Sequence, residues 1–122
     1  MSTRILIVDD HEDFRAMVKN HIQSQPLDVV VYEAPSGELG IEKALREKVN
    51  VILMDIRLPH INGLEAAHEI KKHLPDCKII ILTMFETQAF RKAFKSEDIT
   101  AYVGKSELYE KLVPLLKGFL KE

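Results

Sequence analysis

Residues 4–14 read RILIVDDHEDF, in which four branched aliphatics at 5–8 run without a break into Asp9 and Asp10. An apolar run with no polar alternation describes a strand covered on both faces, the situation of strands in a parallel sheet. Moving outward, the same kind of run recurs at 29–32, 51–54 and 79–82, and more weakly at 101–103. Longer segments with apolar residues at helical spacing separate these runs. The stripes are Phe14, Met17, Val18, His21 and Ile22; then Ile41, Ala44 and Leu45; then Leu64, Ala67, Ile70 and Leu74. The fourth reads Ala89, Phe90, Ala93 and Phe94, and the last reads Leu108, Leu112, Leu115, Leu116 and Phe119. Each is the pattern of a helix with one face on a core. Ser36 and Gly37 suit a helix start, Pro26 and Pro75 stand where helices should stop, and Asn62 and Gly63 punctuate the loop before the third helix. Five strand–helix units in succession, joined by right-handed crossovers, predict an open, doubly wound α/β fold with helices on both faces of a parallel sheet.

Composition sets the bounds on function. The 122 residues fit one domain, residues 1–122, with no repeat or linker-like stretch. With 17 basic and 19 acidic residues the net charge is −2, which gives no electrostatic footprint for nucleic acid or anionic lipid. No apolar run approaches a membrane span, and the N-terminal run is too short for a signal peptide. The single cysteine, Cys77, cannot form an internal disulfide and suits a reducing cytoplasm.

In sheets of this class functional groups gather at the carboxyl ends of the strands. Those ends carry Asp9 and Asp10, Asp55, Thr83 and Lys105. Taken singly, each has an ordinary role: an acid at a helix N-cap, an acid in a turn, a capping threonine, a solvated lysine. Taken together they place three carboxylates, a hydroxyl and an ammonium on one rim. Two like charges about 4 Å apart repel by roughly 4 kcal/mol at an effective dielectric near 20, so the cluster calls for a cation. Mg²⁺, with its taste for oxygen ligands and retained waters, answers that need and leaves room for a phosphoryl oxygen. The composition is that of a phosphoryl-transfer site in which a carboxylate is the nucleophile, with Asp55 the best candidate.

These residues resemble the receiver domain of two-component response regulators along the whole chain. ILIVDDHEDFR resembles the acidic opening, VILMDIRLPHINGLE the phosphoacceptor segment, IIILTM the hydroxyl-bearing strand, and AYVGK the aromatic and lysine. The LTM and DDH pieces are most similar to the NarL/FixJ (LuxR-type) group, whose members usually carry a C-terminal helix-turn-helix domain. The resemblance implies a flavodoxin-like sheet of order 2-1-3-4-5. It implies that Asp55 accepts a phosphoryl group from a histidine kinase, a phosphotransfer protein or a small donor such as acetyl phosphate. Asp10, Asp55 and the backbone carbonyl of Arg57 would hold Mg²⁺, with Asp9 helping through water. Thr83 and Lys105 would meet the phosphoryl oxygens, and Tyr102 would swing inward as Thr83 moves. Arg57 and Phe85 fall at positions that tune hydrolysis of the acyl phosphate. Two departures stand out: Ser106 replaces the proline that often follows the lysine, and Ala101 precedes the aromatic where glycine is common.

The resemblance also favours a piece of a longer cytoplasmic regulator of transcription, with no output domain in this chain and no nucleic acid bound by it directly. A stand-alone receiver, a degenerate interaction module and an aspartate-nucleophile phosphatase are the alternatives. The last helix carries a second apolar row, Tyr109, Val113 and Leu120, which suggests a homodimer or output-domain contact. Pro114 predicts a kink or restart in that helix. The five histidines show no zinc spacing, and His11, beside the acids, could modulate donor access.

Overall fold

The computed structural model describes residues 2–93 and 95–120. The elements alternate strictly along the chain: β1 (Thr3–Val8), α1 (Glu12–Gln23), β2 (Val29–Ala34), α2 (Gly37–Glu47), β3 (Val51–Met54), α3 (Gly63–His73), β4 (Lys78–Thr83), α4 (Gln88–Ala93), β5 (Ala101–Gly104) and α5 (Leu108–Leu120). The strands form one parallel sheet in the order β2-β1-β3-β4-β5, as the resemblance implies. A short 3-10 turn, Lys105–Glu107, leads into α5.

Alternate residues of each strand feed opposite cores. Leu6, Val8, Ile52, Met54, Ile79 and Ile81 pack on one face with Ala44, Ala66, Ala67 and Ile70 from α2 and α3. Ile5, Ile7, Val51, Leu53, Ile80, Leu82 and Val103 pack on the other with Val18, Ile22, Leu108, Leu112 and Leu116 from α1 and α5. Each such aliphatic, fully buried, contributes about 1.5–3 kcal/mol, which is why the inner strands carry unbroken aliphatic runs; the edge strand β2, expected to be covered on both faces, instead leaves Val30 exposed and carries Glu33. Cys77 is buried just before β4, and burial pushes its thiol up to about 11, the state of an inert packing residue.

Local signals fix the helix ends. The Ser36 hydroxyl accepts from the Leu39 amide at 3.2 Å at the start of α2. Asn62 and Glu65 exchange bonds as a capping box at the start of α3, at 2.9 and 3.0 Å. Gly63 has a further reason to be glycine: a Cβ there would run into the carbonyl oxygen of Asp55. Its amide donates to the Ile56 carbonyl at 2.7 Å, so α3 starts directly against the backbone that follows β3.

Three expectations need correction. The fourth helix, Gln88–Ala93, has no fully buried residue: Phe90 is half-buried and packs against the core, while Ala89 and Ala93 are exposed; Phe94 lies outside the described residues. Of the second row on α5, Val113 is buried and Leu120 half-buried, while Tyr109 is 61% exposed. Finally, of the kink or restart expected at Pro114, the restart does not occur, since α5 continues through that residue. Pro114 and Glu110, the residue whose carbonyl loses its helical partner, both face solvent, where water can serve that oxygen.

Candidate functional site

Sheet register brings the reactive groups together. Val8 pairs with Met54 and Met54 with Ile81, so Asp9 and Asp55, each one residue further, leave adjacent strands at the same level. The Asp55 amide donates to the Val8 carbonyl and the Asp9 amide to the Ala34 carbonyl, both at 3.1 Å, which carries the ladder up to the acids themselves. Thr83 pairs with Gly104, so Lys105 emerges beside them.

Lys105 is the cation that makes this cluster tolerable. Its Nζ donates to Asp9 Oδ2 and to Asp55 Oδ2, at 2.9 Å each, and lies 4.0 Å from the centre of the Phe14 ring. Asp9 and Asp55 are both buried, and Lys105 is nearly so. Burial raises the Asp55 carboxyl above its ordinary value of 3.8, against the opposing pull of Lys105. Burial works to lower the Lys105 ammonium, but its hydrogen bonds to Asp55 and Asp9 and their charges outweigh it, and the ammonium is held above its ordinary value. The lysine therefore stays charged at neutral pH.

The other oxygens of the two buried acids are also engaged. Asp55 Oδ1 accepts from the Arg57 amide at 3.2 Å. Asp9 Oδ1 accepts from the His11 amide at 2.8 Å, and the Asp9 carbonyl accepts from Arg15 Nη1 at 2.6 Å. Asp10 is more open to solvent, its Oδ1 lying 3.1 Å from His11 Nδ1. Ligand atoms of Asp9, Asp10 and His11 all lie within 4.8 Å of one another. Asp55 is not in that group. The carboxylates are hard oxygen donors of the kind Mg²⁺ prefers, and the donor set fits that ion.

Thr83 is completely buried and its Oγ1 accepts from the Phe85 amide at 3.0 Å, the role of a strand-end cap; its hydroxyl proton remains available to donate. Tyr102 packs half-buried against the core, its phenol raised by burial, and its Oη accepts from the Ser96 amide at 3.2 Å. Arg57 and Phe85, on separate loops, touch: the guanidinium lies 4.5 Å from the centre of the Phe85 ring. Phe85 in turn stacks on Phe90 of α4 at 4.3 Å. Ser106 donates to Glu86 at 2.6 Å and so joins the loops after β4 and β5.

Sequence reasoning did not single out Phe14, Arg15 or Glu86. Phe14 reads as an ordinary core position and Arg15 as a surface charge. Only the crossing of α1 beneath the Lys105 ammonium and the Asp9 carbonyl gives them a place in the site.

The family model for the response regulator receiver domain matches residues 5–117. The transcriptional regulatory protein DegU of Brevibacillus brevis is 30% identical over 114 residues, covering 93% of this chain and 48% of that protein. The response regulator protein VraR of Staphylococcus epidermidis is 41% identical over 85 residues, covering 70% of this chain and 41% of that protein. This chain thus spans about half the length of these curated relatives, or less. Among solved structures, a LuxR-family two-component response regulator from Aurantimonas superposes with a TM-score of 0.88 at 28% identity, over 98% of this chain and 86% of that one. The response regulator TrrA of Thermotoga maritima, solved with Mg²⁺ and a beryllium fluoride, superposes with a TM-score of 0.84 at 33% identity, over 95% and 97%. No helix among the described residues is long and apolar enough to cross a membrane.

Proposed function

This chain belongs to the response regulator receiver domain family, and from that premise we propose that Asp55 is its phosphoacceptor. The observation that carries the assignment is the Lys105 ammonium held 2.9 Å from both Asp9 and Asp55. Its charge and hydrogen bond oppose the upward pull of burial on the Asp55 carboxyl, the group that would act as nucleophile. An Asp55 oxygen attacks the phosphorus of the donor and the bond from phosphorus to the donor atom breaks; acetate leaves from acetyl phosphate, and a neutral imidazole leaves from a phosphohistidine whose other ring nitrogen carries a proton. The product is an aspartyl phosphate.

Asp10, Asp55 and the Arg57 carbonyl, with Asp9 through water, are the groups that would hold Mg²⁺; when bound, it neutralises charge on the transferring phosphoryl group. Lys105 turns from Asp55 to a phosphoryl oxygen, and the Thr83 hydroxyl donates to another. The new group carries about −1.5 to −2 charge, so Thr83 is drawn toward it at the cost of its bond from the Phe85 amide. That movement alters the loop that carries Phe85 and the thinly seated α4, with Tyr102 repacking into the space. The phosphoryl group thereby shifts the population between two packings of one face of the domain.

We assign the donor to a histidine kinase or phosphotransfer protein and residues 1–122 to the receiver unit of a longer cytoplasmic regulator controlling transcription. The relatives' names support that reading. The exposed Tyr109, which meets His21 edge to face at 4.6 Å, marks the side of α5 and α1 for a second copy or an output domain. The domain is a switch that catalyses only its own modification.

Incubation with Mg²⁺ and acetyl phosphate followed by intact mass tests the reading. A stoichiometric gain of one phosphoryl group supports it. Steady phosphate release with no adduct would make the protein a phosphatase, and no change would make it an interaction module.

A further inference from the structure

We infer that His68, Asp98 and Ser96 form a latch that holds Tyr102 in its resting place, so that a contact made by α3 sets how readily the domain switches. The inference rests on the switch reading above and concerns three residues that reading does not use.

Tyr102 Oη accepts from the Ser96 amide at 3.2 Å. That amide opens the turn at residues 96–99, which the Ile99 amide closes on the Ser96 carbonyl at 3.2 Å. Inside the turn the Ser96 hydroxyl accepts from the Asp98 amide at 3.1 Å and donates to Asp98 Oδ2 at 3.3 Å. The same Asp98 oxygen accepts from His68 Nδ1, which reaches across from α3, at 3.0 Å. An ionised carboxylate only accepts, so this bond places the ring proton on Nδ1. One end of the turn is anchored independently on β4: Ile99 is buried, the Thr100 amide donates to the Ile79 carbonyl at 2.7 Å, and Thr100 Oγ1 accepts from the Ile79 amide at 3.2 Å. The other end leads back to α4, which has no fully buried residue. The tie from His68 through Asp98 therefore steadies the end of the turn that packing leaves loose, and that end carries the amide on which Tyr102 rests.

Among the described residues none of the three bonds to Asp9, Asp55, Thr83 or Lys105, so they act through Tyr102 as positioning residues. When Tyr102 repacks into the space that Thr83 leaves, Oη departs from the Ser96 amide. With Ser96 held by Asp98, that amide has little freedom to find another partner, and its loss weighs against the switch. With the turn loosened, the resting bond is weaker and its loss costs less. A contact made only in the resting packing sets the fraction of molecules ready for the phosphoryl group, and apparent affinity for that group scales with the fraction.

The test is titration of the chain with beryllium fluoride and Mg²⁺, a stable stand-in for the phosphoryl group, with NMR of the Tyr102 ring as the second readout. The variants are His68→Ala, Asp98→Ala and Asp98→Asn. The expected result is an affinity about three-fold higher in His68→Ala and in Asp98→Ala, with the unliganded Tyr102 signals moved part of the way toward their bound positions. Asp98→Asn keeps an oxygen for the same two donors and should stay near the wild type. In Tyr102→Phe, which lacks Oη, adding Asp98→Ala should change the affinity no further. Unchanged affinity and unchanged Tyr102 signals in His68→Ala and Asp98→Ala overturn the inference, as does a three-fold effect of Asp98→Ala that persists in Tyr102→Phe. If the wild type binds beryllium fluoride and takes up one phosphoryl group in either case, the switch reading stands. If it does neither, the switch reading fails and the inference with it.

Discussion

Replacing Lys105 with methionine isolates the electrostatic claim, because methionine keeps a flexible apolar stem over the Phe14 ring while removing the ammonium. In the wild type one nitrogen stands 2.9 Å from a carboxylate oxygen on either side. Without it, those oxygens face each other at no more than about 6 Å, where two full charges at an effective dielectric near 20 repel by about 3 kcal/mol. Removing one partner from a buried ion pair costs about 3–5 kcal/mol in general, so a loss of about 3 kcal/mol is expected at about pH 8 in EDTA. The pH dependence carries the diagnosis. Burial already raises Asp55, and loss of the lysine removes the main opposing force, so its folded-state value rises further. An acid raised in the folded state costs stability above its folded value and regains it as pH falls through that value. The gap between variant and wild type should therefore narrow on acidification, and added Mg²⁺ should stabilise the variant more than the wild type. Urea unfolding at several pH values, with and without Mg²⁺, measures both. A loss under about 1 kcal/mol that does not change with pH, the ordinary value of a surface pair, would refute the reasoning.

Other outcomes follow from the same geometry. Phe85→Ala removes the ring that Arg57 covers, a contact worth about 0.5–1 kcal/mol, and should shorten the lifetime of the aspartyl phosphate about two- to five-fold. The double variant with Arg57→Ala should lose less than the two single effects combined, as read by the decay of phosphorylated protein; full additivity contradicts a shared contact. Gly63→Ala drives a methyl group into the Asp55 carbonyl oxygen and should destabilise the fold by about 1–3 kcal/mol while slowing phosphorylation, as seen by thermal unfolding and adduct formation. Because burial raises the Asp55 carboxyl above its ordinary value of 3.8, its carbon NMR signal in EDTA should titrate with a midpoint above that value and move down when Mg²⁺ is added; a metal-free midpoint at or below it contradicts the burial of the nucleophile.

The strands and four of the helices were legible because both-face burial leaves an unbroken aliphatic run and one-face burial leaves a stripe, as in 5–8 against Val18 and Ile22. In the fourth helix Phe90 packs against the core while Ala89 and Ala93 are exposed, since spacing carries no information on how much area a position buries. Val113 misled in the opposite sense: a position on the flank of a helix is covered or exposed according to its neighbours. At the rim, strand ends named Asp9, Asp55, Thr83 and Lys105 correctly as neighbours, since register does the gathering. The contact between Arg57 and Phe85 and the turning of His11 toward the acids depend on rotamers, which no spacing in the chain encodes.

The most direct test is to find which carboxyl carries phosphorus. After treatment with acetyl phosphate and Mg²⁺, borohydride reduces an aspartyl phosphate to homoserine with loss of phosphate, and peptide sequencing by mass spectrometry locates it. Homoserine at position 55 alone, absent in Asp55→Asn, is the predicted result. Homoserine at position 9 or 10, or an adduct that persists in Asp55→Asn, would contradict the account.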